Sequence, residues 1–399
     1  MLKSILFKNF FSFNDVKVEL NRLNVLAGIN GAGKTNFIKA IKMLKATISE
    51  GAMAELILNQ WGGFDAICFS GNGIDANPKV ELEFEFEPKS LCKYGYHFQE
   101  PVYYYISLMK VGSTQNYSIY ESFHTKDENG KRAYQYLKMS NGKGMAREGL
   151  SDGQYTVSYE LDNPRESLLS QLVDKDRYFQ IYTLREAIKD IAVYDHFDTT
   201  SHSLIRKPML PTGSTRLLSD GSNLPQILNK IKINNKQTHY AKLLLSLHSV
   251  NPNYVGIDFN PVGTNIELML DEQGLDRSVH VTHISDGTLH FLCLLSIIYN
   301  PQRGAMVCID EPEVGLHPDM IGEVIESIKD YDKGTQFVIS THSEHILNGV
   351  AVSDLLMCEK DGDNASVVNT FREDEFVEWA SQYSTGRLWR NGDLGGNRY

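Results

Sequence analysis

Residues 28–35 read Gly-Ile-Asn-Gly-Ala-Gly-Lys-Thr and match the pattern GxxxxGK[ST] without deviation. Phosphate binding asks for these residue types. Glycines let the backbone wrap tightly, so that successive N–H groups point at phosphate oxygens. A helix starting near Lys34 adds its positive N-terminal end to the same anion. Lys34 would reach the β- and γ-phosphates, and the Thr35 hydroxyl would sit on Mg²⁺. At average composition a chain of this length carries about 0.01 such matches by chance. The motif therefore predicts a nucleotide site.

A second set of residues can complete that chemistry. Ala305-Met-Val-Cys-Ile-Asp310-Glu311 is an apolar run ending in two carboxylates. Beside a phosphate loop, the first acid can hold Mg²⁺ through water and the second can polarise an attacking water. Asp310 is assigned to the metal and Glu311 to the general base. Ile284-Ser-Asp-Gly-Thr288 opens an apolar helical stretch, and a Ser-x-Gly turn there is an anion site of the same physical kind. Thr341-His342-Ser343 follows the apolar run 336–339, where His342 could donate to a γ-phosphate.

The elements that must position these residues are legible in outline. Leu23 to Ala27 reads as a buried strand entering the phosphate loop, and residues 36–48 place apolar side chains at helical spacing. Ile5 to Phe7 and Val16 to Leu20 read as strands around a turn at Asn14-Asp15. Residues 80–87 alternate strictly, and with the runs at 103–108 and 117–123 they predict an antiparallel β region. The polar stretch Thr125 to Gly153 reads as turns that interrupt it. Helical patterns cover 164–190 and 221–249, with a short strand at Ile191 to Tyr194. Beyond them strands and helices alternate, as in an α/β domain with a parallel sheet.

Composition narrows the class. The chain has 399 residues, 42% hydrophobic and 22% charged, which excludes disordered, collagenous and membrane classes. Its 39 basic against 50 acidic residues give a net charge of −11, which excludes a surface coated in positive potential but not a local basic patch. Five cysteines without CxxC spacing read as reduced thiols in a cytoplasmic protein. No apolar run reaches the roughly 18 residues of a membrane span, and the N-terminus reads as a strand and not as a signal peptide.

Taken together, the phosphate loop, the Ser-Asp-Gly turn, the Asp-Glu strand and the late histidine resemble the ABC-type ATPase superfamily. More narrowly, Asn30-Gly-Ala-Gly-Lys-Thr-Asn36, Gly221-Ser-Asn-Leu224 and Asp310-Glu-Pro-Glu-Val-Gly-Leu-His-Pro318 resemble RecF/SMC-like AAA ATPases, including the ATPase halves of OLD-family and other prokaryotic defence proteins. The C-terminal Gly386-Arg-Leu-Trp389 and Gly392 to Asn397 are similar to a tail of that group. The resemblance covers roughly residues 1–75 and 190–399. It implies an ABC-type P-loop head with an antiparallel β lobe and a helical insertion, divided as 1–75, 76–220 and 221–399. Residues 35–309 hold no sustained heptads, so no long coiled coil is expected.

The resemblance also implies a head-to-tail homodimer, or a higher assembly, with two ATP molecules between heads. Nucleotide contacts would come from Asn30, Gly31, Ala32, Gly33, Lys34, Thr35 and Asn36, and in trans from Ser285 and Gly287. Thr35 and Asp310 would hold Mg²⁺, Glu311 would be the base, and His342 the γ-phosphate switch. The sequence departs from the transporter signature at Asp286 and Thr288, and Gln60 is the nearest candidate for a Q-loop glutamine. OLD proteins carry a TOPRIM nuclease domain, for which residues 343–399 are too few. Glu359, Asp361 and Asp363 read as a hairpin turn and not as a metal site.

Two functions fit these expectations. The first is an ATP-hydrolysing switch in antiphage defence that regulates a separately encoded nuclease or toxin. The second is a RecF-like clamp on DNA in repair or maintenance. An inert scaffold fits poorly with intact Lys34, Thr35, Asp310 and Glu311. The feature that separates the first two is whether basic residues in 126–147 and 230–242 merge on one face, making nucleic-acid binding possible.

Overall fold

A computed structural model describes residues 1–71, 78–149, 155–331, 334–372 and 384–395. Gly153 at the end of the expected polar stretch, and Gly396-Asn397 of the C-terminal pattern, lie outside the described residues. Two large sheets and a small one organise the chain.

The first large sheet has eight antiparallel strands in the order β2-β1-β4-β5-β6-β7-β8-β9. These are β1 (Leu2–Phe10), β2 (Phe13–Glu19), β4 (Lys79–Phe86), β5 (Val102–Lys110), β6 (Tyr117–Lys126), β7 (Arg132–Ser140), β8 (Lys143–Glu148) and β9 (Tyr155–Glu160). Because β1 pairs with both β2 and β4, this sheet joins residues on both sides of position 76. Its first hairpin turns at Phe11-Ser12, not at Asn14-Asp15: Phe10 pairs with Phe13, and Phe11 takes a φ of 49°.

The expected interruption at 125–153 is also corrected, because β7 and β8 continue the sheet there. Only Leu137, Met139 and Ala146 of these two strands are buried, so the apolar alternation is thin. Two basic residues of this polar stretch lie over tyrosine rings, Arg132 at 4.5 Å from Tyr105 and Arg147 at 4.0 Å from Tyr134. Asn141-Gly142, at φ 49° and 78°, forms the β7–β8 turn. Both residues need positive φ, which explains the Asn-Gly pair.

The second sheet runs β10-β14-β15-β3-β16-β17 and is parallel except for its edge strand β17. Its members are β3 (Leu23–Ala27), β10 (Ile191–Tyr194), β14 (Met306–Asp310), β15 (Gln336–Thr341), β16 (Leu355–Lys360) and β17 (Ser366–Thr370). Every residue of β3 and β15 is buried, as expected for parallel strands covered on both faces. The small sheet holds β11 (Tyr254–Val262), β12 (Asn265–Glu272) and β13 (Val279–His280).

Two cores follow. Helix α1 (Lys34–Ala46) buries Phe37, Ile38, Ile41 and Leu44 between the antiparallel sheet and the underside of the parallel one, where Leu26, Met306 and Val338 meet it. On the opposite face, Val25, Val307, Ile309 and Ile339 pack with α3 (Leu224–Asn234), α5 (Asp286–Ile298) and α6 (Pro318–Tyr331). The patterns at 164–190 and 221–249 each hold two α-helical pieces, the principal ones being α2 (Phe179–Lys189) in the first and α3 and α4 (Ala241–Val250) in the second. Among the described residues the longest helix has 14 residues, in keeping with a head that lacks a long coiled coil. No described helix is long and apolar enough to cross a membrane.

Two histidines are sealed inside these layers. Burial pushes His124 down to about 3 and His290 down to about 4, from an ordinary 6.5. Below pH 6.5 the unfolded chain therefore binds protons that the folded chain refuses. Their contribution to stability is complete above pH 6.5 and is lost as pH falls from there toward 4. Urea unfolding at pH 7.5, 6.5 and 5.5 is expected to show stability dropping by about 1 kcal/mol per histidine per pH unit below 6. A flat profile across that window would contradict the two neutral buried rings.

Candidate nucleotide site

Register in the parallel sheet assembles the site. Thr341 pairs with Ala27, and Asp310 pairs with Ser340. The loop after β3, the acids after β14 and the histidine after β15 thus leave the sheet side by side at its carboxyl edge, where open α/β sheets bind ligands.

The loop at 28–33 is wound by glycines in the left-handed region, with φ of 148°, 83° and 111° at Gly28, Gly31 and Gly33. A Cβ on Gly28 would strike the Cys358 carbonyl, and one on Gly33 the Ser366 hydroxyl. Ala32 is buried in the core beneath the loop, whereas Asn30, Gly31 and Thr35 are exposed. Helix α1 has no side-chain cap, so its first-turn N–H groups stay free for an anion. Lys34 is buried and donates to the carbonyls of Gly28 at 2.8 Å and Ile29 at 3.1 Å. Burial pushes its ammonium pKa down, and Glu311, Glu313 and Asp310 act against that shift. Asn36 turns away from the loop: it donates to Ser12 Oγ at 2.9 Å, which also accepts from Ser366 Oγ at 2.7 Å.

The acids meet the next strand. Ser340 Oγ donates to Asp310 Oδ1, and burial raises the Asp310 pKa, with Asp195 and Glu311 adding to the rise. Glu311 sits at a φ of 48°, a strained conformation for a residue with a side chain. Its amide is held by the Ser340 carbonyl and hydroxyl, both at 3.1 Å. Its Oε1 lies 3.2 Å from His342 Nδ1. Glu313 stands behind this pair: its Oε1 accepts from Thr341 Oγ1 at 2.6 Å and from the His342 amide at 2.9 Å.

Ser285 and Gly287 lie at the start of α5, against the loop that follows Asp310. Ser285 caps α5, accepting from the Thr288 amide at 3.2 Å, and its Oγ lies 2.8 Å from the Thr288 hydroxyl. Thr288 also lies 3.2 Å from the Tyr254 hydroxyl, so its departure from the transporter pattern serves the cap. Asp286 is engaged as well, at 2.5 Å from Arg206 Nη2. The buried Arg206 further donates to the carbonyls of Thr199, Val281 and Ile284 at 2.9, 2.6 and 2.8 Å. A Cβ on Gly287 would lie 2.8 Å from the Gly315 carbonyl, so α5 and the loop after Asp310 are in direct contact. Lys34, Asp310, Glu311 and His342 are thus gathered, while the bonds of Ser285 stay within its own helix turn.

Other predicted features lie elsewhere. Gly221-Ser-Asn-Leu224 shapes the entry to α3, where Asn223 accepts from the Leu218 amide and donates to the Arg216 carbonyl, both at 2.8 Å. Gln60 reaches Glu55 at 3.5 Å. Asp361 accepts from the Asp363 and Ala365 amides, closing the β16–β17 turn as expected. Residues 126–147 lie on the antiparallel sheet, whereas Lys230 and Lys232 bond the Ser214 and Ile257 carbonyls beside the small sheet. The first basic segment therefore belongs to the antiparallel sheet, whereas the second runs along helices beside the small one. Glu313, Ser340 and Arg206 received no role from the sequence. Glu313 stood within a recognised motif, but its partners lie on another strand, and nothing local marks Arg206 as buried.

This arrangement defines a P-loop ATPase head of the ABC type. The fold matches the Smc head bound to the C-terminal winged-helix domain of ScpA, with a TM-score of 0.58 and 14% identity over 94% of this chain and 99% of that one. It also matches the Pyrococcus furiosus Smc head with an extended coiled coil, with a TM-score of 0.57 and 12% identity over 96% and 98% of the two chains. Residues 23–348 match the family described as AAA domain, putative AbiEii toxin, Type IV TA system, and the chain belongs to that family. An ATP/GTP phosphatase of Helicobacter pylori is 20% identical over 386 residues, 94% of this chain and 93% of that protein. The DNA replication and repair protein RecF of Lactococcus lactis subsp. cremoris is 33% identical over 100 residues, which span 25% of this chain and 28% of RecF. The protein is a RecF/SMC-like AAA ATPase.

Arg206 supplies a test of how the Ser285 turn is held. Arg206→Ala removes four hydrogen bonds and leaves three carbonyls without that donor. The expected loss is about 3 kcal/mol of stability, with faster amide exchange at 281–288. Unchanged exchange there would show that Arg206 does not hold the turn.

Proposed function

We propose that the protein is an ATP-driven switch whose site hydrolyses ATP and whose two copies close head to tail around it. The observation that carries this reading is the meeting of Lys34, Asp310, Glu311 and His342 at one sheet edge. Backbone N–H groups of residues 30–36 would cradle the phosphates, with Lys34 moving from its carbonyls toward the β- and γ-phosphates. Glu311 would take a proton from the attacking water, and His342, beside it, would donate toward the γ-phosphate.

The donor set fits Mg²⁺. Among the described residues there is no cluster of three His, Cys, Asp or Glu side chains able to hold a metal, which argues against a protein-caged ion. One hydroxyl, Thr35, and one carboxylate, Asp310, suit an ion that keeps water and substrate oxygens as its other ligands. When bound, Mg²⁺ would neutralise charge developing on the phosphate oxygens.

The dimer accounts for Ser285 and Gly287. They lie at an exposed helix start and do not bond their own P-loop, so a partner's nucleotide is the natural ligand of that turn. The effector is proposed to be a separate nuclease or toxin in antiphage defence, a reading supported by the toxin–antitoxin description of the family. Five free cysteines suit a cytoplasmic setting.

The RecF relative favours a second reading, a clamp on DNA. The engagement of Lys230 and Lys232 with the Ser214 and Ile257 carbonyls weighs against a single phosphate-binding face shared with residues 126–147. Filter binding of duplex DNA with ATP, at low and high salt, distinguishes the two. Retention at low salt that falls steeply with salt supports the clamp, and no retention at low salt removes it.

Lys34→Ala is expected to reduce ATP turnover by about 100-fold or more, and full turnover would refute the P-loop assignment. Glu311→Gln is expected to retain ATP binding while hydrolysis slows by roughly 100-fold or more. Size-exclusion chromatography with light scattering should then show a trapped dimer. A Glu311→Gln protein that stays monomeric with saturating ATP contradicts the head-to-tail closure.

A further inference from the structure

We propose that Glu313 is a positioning residue: one carboxylate oxygen fixes the turn that carries His342 and so aims the imidazole at Glu311. The inference rests on the ATPase reading above and adds to it a residue with a defined task.

The geometry is specific. The Glu313 side chain is only 6% exposed, yet it lies on a loop two residues beyond Glu311. Its Oε1 accepts from two consecutive residues at the end of β15, the Thr341 hydroxyl at 2.6 Å and the His342 amide at 2.9 Å. Thr341 Oγ1 in turn accepts from the Ser343 amide at 2.9 Å, so one oxygen anchors the backbone of 341–343. The same oxygen lies 3.5 Å from His342 Nδ1, on the side where that ring meets Glu311. The other oxygen, Oε2, is buried and has no hydrogen-bond partner. A buried carboxylate that uses one oxygen three ways and leaves the second idle is costly as a mere core residue. Its arrangement is accounted for by what it orients. Thr341 is locked by the register of β15 against β3, so the anchor ties the acid loop to the strand beside the P-loop.

Three variants separate positioning from charge and from folding. Glu313→Gln keeps the accepting Oε1 and removes the charge. Glu313→Ala removes both, and Glu313→Leu fills the space without an acceptor. Steady-state ATPase assays, equilibrium nucleotide binding and hydrogen–deuterium exchange of the full chain are the readouts. The expected result is a kcat lowered roughly 10- to 100-fold in Ala and Leu, with nucleotide affinity kept and exchange at the His342 amide accelerated. Gln should stay within about threefold of the parent in kcat, with the amide still protected. Adding His342→Ala to Glu313→Ala should cost no more than His342→Ala alone.

A Gln variant as slow as Ala would overturn positioning in favour of a charge role. Unchanged exchange at His342 in both Ala and Leu, or losses that add to those of His342→Ala, would overturn it as well. Exchange does not need turnover. A parent protein without ATPase activity would thus sink the catalytic reading, while the His342 amide still decides whether Glu313 holds the turn.

Discussion

The alignment of β14, β15 and β3 is the constraint on which the site depends. A shift of one residue in any of these pairings would turn its side chains to the other face of the sheet. Asp310 would lose Ser340, and Thr341 would leave Ala27, so the acids and the histidine would no longer emerge beside the phosphate loop. The register is fixed by burial on both faces. Val25, Val307 and Ile339 belong to one core, and Leu26, Cys308 and Val338 to the other. No slipped pairing keeps both sets covered.

Around this fixed centre, two features of cost are gathered in a few residues. Glu311 holds a positive φ, and Glu313 keeps a carboxylate inside the protein. Backbone strain and buried charge persist where the surroundings over-determine them. Here the Ser340 carbonyl and hydroxyl receive the Glu311 amide, and the Thr341 hydroxyl and His342 amide hold Glu313. The large antiparallel sheet plays a quieter part. It covers α1 with Phe7, Leu82 and Phe84, and its first hairpin adds the bond from Asn36 to Ser12, so the helix that presents Lys34 is held from behind.

Much of this was legible beforehand, for identifiable reasons. The 28–35 loop is recognisable because phosphate geometry leaves little freedom in residue type. Strand β4 alternates cleanly because one face is covered, and Ile191 to Tyr194 reads as a strand because it is wholly apolar. Strands β7 and β8 are hard to read because they are largely polar, and two of their charged residues, Arg132 and Arg147, lie on tyrosines, an arrangement that makes a sheet surface resemble a loop. Asn141-Gly142 was the available signal for that hairpin. Asn14-Asp15 has turn chemistry, yet the chain turns at Phe11-Ser12 through contacts made elsewhere: Phe11 packs at 5.4 Å on Trp61, and Ser12 bonds Asn36 and Ser366. Glu313 and Arg206 act through partners distant in the chain, which no local pattern encodes.

The contact between Gly287 and the Gly315 carbonyl has a mechanical consequence. A Cβ at position 287 would lie only 2.8 Å from that oxygen, closer than a side-chain carbon packs on a carbonyl. The start of α5 can therefore sit this near the acid loop only because residue 287 has no side chain. A methyl group there would wedge the Ser285 turn and the loop apart.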